Sequence, residues 1–145
     1  MKLPEYISIE EVKRVCRELD IRDWSEPQTP EVTREEAELI MAEVNVEGMD
    51  IEVDEFRRGL EVELEHGTRF ADANVTNNHP IITGMIVLAH LKESLYYYRL
   101  LDVAELEGDL LGAIRGDDFS RVKNLYTRLA NARMVLNQAE IDRLV

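Results

Sequence analysis

Apolar positions recur at helical spacing along most of the chain, and nowhere do they alternate as a strand would. Ile9, Val12, Val15, Cys16 and Leu19 form the first stripe. Ser8-Ile9-Glu10-Glu11 opens it with the pattern of a capping box, which predicts a helix over 8–19. Residues 20–32 have no period and carry Pro27 and Pro30, so they form a loop, with Trp24 as the side chain that pins it to the core. A second box, Thr33-Arg34-Glu35-Glu36, and the stripe Ala37, Ile40, Met41 and Val44 predict a helix over 33–45. A turn through Gly48 follows. A third helix runs from Asp54 to His66 on the stripe Phe56, Leu60 and Leu64, with Gly67 as its stop. After a polar loop over 67–79, Pro80 opens the most apolar helix, predicted to reach Leu101 and to extend toward Arg115. On it Gly108, Gly112 and Gly116 recur every four residues, the mark of close packing against a neighbour or of a locally weak helix. Asp117-Asp118 cap a last helix over 118–143, with the stripe Val122, Leu125, Tyr126, Leu129, Ala132 and Leu136. The expected fold is all-α: a single domain over 1–145 of about five helices, the last three forming an antiparallel bundle.

Composition narrows the function classes. A chain of 145 residues with 45% hydrophobic side chains can bury a core without staples. Its net charge of −13 argues against nucleic acid or an anionic lipid surface as partner. The charge is uneven: residues 1–66 hold 20 acidic and 8 basic side chains, residues 67–145 hold 10 and 9. The acidic extension over 1–53 and the helix after it offer either a solvated face or a docking surface for a basic protein partner. Cys16 is the one cysteine, which rules out an intramolecular disulfide or a thiolate-paired zinc site. Its place on a helix stripe marks a buried, inert thiol. The N-terminus shows no signal-peptide pattern, and the longest apolar run, Ile81 to Leu91, is too short to span a bilayer. A soluble, cytoplasmic protein is the expectation.

Two short patterns carry candidate chemistry. Glu63 and His66 lie three apart near the end of the third helix, and His90 and Glu93 lie three apart in the fourth. That spacing places each pair on one helix face, as in carboxylate-bridged metal sites inside bundles. At about 100° per residue His90 shares an angle with Ile86, Tyr97 and Leu101, opposite Lys92 and Arg99, and so points inward. Glu63 borders the core beside Leu60. A buried imidazole or carboxylate must be hydrogen-bonded, paired or metal-bound. Three readings fit: a structural tie between two helices; a divalent metal site of Glu63, His66, His90 and Glu93 for iron, manganese or zinc, with a homodimer completing a two-metal set; or a small-ligand pocket. Tyr97 reads as a core aromatic or as a partner of His90. The loop from Asn74 to Pro80 reads as Asx-turn and capping chemistry, or as an anion site at a helix start. No phosphate loop, serine elbow or nucleophile–base pattern is present, so nothing assigns an enzymatic activity.

The segments Glu61-Val62-Glu63-Leu64-Glu65-His66-Gly67, Asn74 to Pro80 and Gly84 to Glu93, followed by Tyr97-Tyr98, resemble a small bacterial and archaeal family known only as a domain of unknown function. The likeness covers about residues 54–101, which it marks as a helical core. It implies that Glu63, Glu65, His66, His90 and Glu93 belong to a family pattern, and it carries no activity with it. The chain departs from that pattern at Met85, where lysine is usual, and at His79, where aspartate would cap the helix. Histidine is the weaker cap, so His79 implies a rebuilt loop or another role.

Overall fold

The computed structural model describes residues 7–26 and 29–144. The first six residues, Pro27 of the predicted loop, Gln28 and Val145 lie outside the described set. Every regular element among the described residues is helical, and none of these helices is long and apolar enough to cross a membrane. Six α-helices and one 3-10 turn divide into two compact units, the first ending at Leu95 and the second beginning at Tyr96.

The first unit holds α1 (Ile9–Glu18), α2 (Arg34–Val44), α3 (Val53–Arg69), the 3-10 turn Ala71–Ala73 and α4 (Pro80–Glu93). Capping decides where the first two helices begin. Ser8 accepts the Glu11 N–H at 3.2 Å, while the Glu11 carboxylate turns to Arg14 rather than back to the cap. At α2 the box is complete: Thr33 Oγ1 accepts from the Glu36 N–H, and the Glu36 carboxylate accepts from the Thr33 N–H. Between these helices Trp24 is fully buried, as its place in the loop predicts. Its indole donates to Glu36 Oε1 at 3.2 Å, its own N–H meets Cys16 Sγ at 3.4 Å, and Arg22 pairs with Glu36 at 3.2 Å. The predicted stripe of α3, Phe56, Leu60 and Leu64, has no exposure. α4 crosses α2 and α3 at close range: a Cβ on Gly84 would sit 2.6 Å from Ile40 Cγ2.

Two predicted boundaries move. α3 does not stop at Gly67 but runs on to Arg69. The glycine is there for space: a Cβ at this position would lie 2.0 Å from Asn78 Oδ1, which is seated against the helix. The fourth predicted helix breaks after Glu93. Ser94 is extended (φ −153°, ψ 128°), and a serine hydroxyl competes with helical backbone bonds, so a separate α5 (Tyr97–Arg115) follows. The count is therefore six helices where the periodicity reads about five.

The second unit pairs α5 with α6 (Phe119–Leu144). Three residues join them, so they run antiparallel as a helical hairpin. Leu106, Ala113, Leu125 and Leu129 form its core, flanked by Val103, Leu110, Val122 and Ala132. Gly108 and Gly112 are exposed, and a Cβ on either would meet nothing within 4 Å. The glycines make α5 locally weak; they do not seat α6 against it.

Candidate functional site

The last turns of α3 and the third turn of α4 bring three of the four candidate side chains together. Leu60 and Leu64 face inward, which leaves Glu63 on the flank of α3 with 18% of its side chain exposed. One oxygen, Oε1, lies 3.4 Å from His90 Nδ1 on α4; the other, Oε2, lies 3.8 Å from His66 Nδ1 one turn along α3. Glu63 is thus the centre of the group, with an imidazole from each helix within 4 Å of its carboxylate. His90 keeps 30% exposure and His66 keeps 49%. Glu93 is exposed at the last residue of α4 and joins none of the other three among the described contacts. Among the described residues no group of three or more His, Cys, Asp or Glu side chains stands ready-made around a common ion position. The angle shared by His90 and Tyr97 rests on an unbroken helix. The extended backbone at Ser94 removes that basis, and Tyr97 begins α5. Glu65, the other carboxylate of the motif, is exposed and pairs with Arg69 at 3.8 Å.

Beside Glu63 and His66 opens a cleft of about 210 Å³. Its apolar side is Phe70, Val75 and Ile86; its polar side is Glu63, His66, Asn74, Thr76 and the buried Thr83. Sequence reasoning picked out the acidic and imidazole wall and the polar loop that holds Asn74 and Thr76 but missed Phe70 and Thr83. Their only sequence signal is proximity to that loop.

That loop is a knot of side-chain bonds. Asn77 and Asn78 both take left-handed backbone (φ 49° and 59°), which asparagine tolerates better than other residues with a β-carbon. Asn74 Nδ2 donates to Asn78 Oδ1 at 2.9 Å and to the Gly67 carbonyl at 3.1 Å, and Thr76 Oγ1 donates to Asn74 Oδ1. Asn77 reaches the Ile7 carbonyl at 2.6 Å and ties the loop to the approach to α1. His79 takes the place of the expected aspartate and does cap α4: its Nδ1 accepts the Ile82 N–H at 3.4 Å. The cap needs an unprotonated Nδ1. Burial holds the His79 pKa below the ordinary histidine value, with the nearby Glu11 carboxylate acting in the opposite sense. On α1, burial raises the Cys16 thiol pKa, in keeping with an inert side chain.

Neither a curated protein nor a solved structure matches the chain. One family model does, over residues 12–107, so the match takes in most of α1, all of α2 to α4 and the first half of α5 as well as the segment 54–101. The chain belongs to that family, described as proteins of unknown function (DUF5661).

Proposed function

We propose that the chain is a metal-binding protein, taking a divalent first-row transition ion at the cleft through Glu63, His66 and His90. The observation that carries this reading is the placement of one carboxylate between imidazoles from two helices, at the edge of an open cleft. Carboxylate plus imidazole is a donor set for iron, manganese or zinc. Ligation requires the two rings to converge on one point beside Glu63. The half-exposed His66 is free to make that movement, and Glu93 is not needed for it. The test is elemental analysis of protein purified without a chelating tag, followed by titration with zinc and manganese. Near-stoichiometric metal, lost in both His66→Ala and His90→Ala, is the expected result. Protein that is metal-free as purified and binds neither added ion overturns the reading.

A second reading rests on the distances themselves. At 3.4 Å the His90 ring of α4 lies within reach of the Glu63 carboxylate on α3, so the pair can serve as a tie between the two helices, with His66 at 3.8 Å beside it. In that case His90→Ala lowers stability by about 1 kcal/mol through the lost contact between α3 and α4, and no metal is lost.

A further inference from the structure

The α5–α6 hairpin has a second apolar surface besides its core. On α5, Leu100, Leu111 and Ile114 are 44–58% exposed; on α6, Phe119, Tyr126, Met134 and Ile141 are 53–66% exposed. At about 100° per residue these side chains lie roughly 60–160° round from the buried stripe of their own helix, in the same rotational sense on both. In an antiparallel pair that sense puts both sets on one side of the hairpin. The ion pair between Arg133 and Glu107 (2.5 Å), two residues on that flank of their helices, bridges the helices across the same side. Ala104 and Ala130, both exposed, lie midway along it.

We propose that this face binds the same face of a second copy of the chain, closing two hairpins into a four-helix bundle. Three features select that occupant. The exposed large side chains together offer several hundred Å², on the order of the ~800 Å² that one partner brings to a standard protein interface. Residues 96–145 carry 8 acidic and 7 basic side chains, so two copies meet here almost without net charge, whereas residues 1–95 carry 22 and 10 and repel. The small residues at mid-face let two backbones approach closely where a two-fold axis would pass, with the bulky side chains of each copy flanking that point.

The test is sedimentation equilibrium of the full chain over a concentration series. A species of twice 16.8 kDa is expected at micromolar concentration. Tyr126→Glu and Met134→Glu alter exposed positions, so helix content should hold while the dimer dissociation constant rises at least about 30-fold. Met85→Glu, exposed on α4 of the first unit, should leave the dimer intact. Ala130→Cys should give an intermolecular disulfide under mild oxidation, since the native Cys16 is buried. A chain that stays monomeric at high micromolar concentration overturns the proposal. So does a dimer that survives both glutamate variants, or one that Met85→Glu disrupts.

Discussion

Gly67→Ala separates a glycine used as a helix stop from one used to make room. In the interior of a helix, alanine gains about 1 kcal/mol over glycine from propensity alone. Here the added Cβ would lie 2.0 Å from Asn78 Oδ1, far inside contact distance, so the Asn78 side chain must leave its seat. That displacement breaks the 2.9 Å bond from Asn74 and disturbs a residue that is 6% exposed. The lost bond costs about 1 kcal/mol, and the forced repacking about 1–3 kcal/mol. The net effect is a loss of about 1–3 kcal/mol. Replacing Asn78 by glycine removes the nearest obstacle, leaves only the flexible Asn74 amide at 3.1 Å to shift slightly, and suits the left-handed backbone at φ 59°. In that background Gly67→Ala should change sign and stabilise by up to about 1 kcal/mol. Trp24 is the only tryptophan and is buried in the first unit, so its fluorescence in urea follows this unit separately from the hairpin. Equal effects of Gly67→Ala in both backgrounds would refute the packing argument, as would stabilisation in the wild-type background.

Three further outcomes are expected. The folded-state pKa of His79 is depressed, so the stability it contributes is present above the ordinary value of 6.5 and is lost as pH falls from there toward the lowered one. Urea midpoints by Trp24 fluorescence should drop across that window by about the ~1 kcal/mol of a helix cap, and His79→Asn, which caps without titrating, should flatten the drop. Gly84→Ala pushes a Cβ to 2.6 Å from Ile40 Cγ2; after the propensity gain, thermal unfolding should show a loss of about 1–2 kcal/mol. Cys16, 1% exposed, should react with an aromatic disulfide reagent only through opening of the fold, about a thousandfold slower than an exposed thiol if opening costs ~4 kcal/mol. Reaction at the free-thiol rate would show that α1 is not seated as described.

Local chemistry was legible in the sequence where cause and effect lie within a few residues. Thr33 and Glu36 declare the start of α2, Phe56, Leu60 and Leu64 declare the buried face of α3, and Trp24 declares the anchor of a loop. Legibility failed where the cause lies far along the chain. Gly67 looks like punctuation because the asparagine that needs its space is eleven residues away. The break at Ser94 carries neither proline nor glycine, and the apolar period continues across it, so periodicity alone runs two helices into one. At the candidate site, three-residue spacing identified which groups share a face of α3 and of α4. It could not tell that Glu63 reaches the opposite helix while Glu93 turns to solvent, because that depends on how deeply the two helices interlock.

The described residues between α1 and α2 form no regular element, yet Trp24 among them holds the sulfur of α1 and the carboxylate of α2 at once. A segment that hydropathy would treat as a spacer is a rivet. Shortening it would not merely bring two helices nearer; it would withdraw the fastener that seats both, and the acidic first unit would open from that seam.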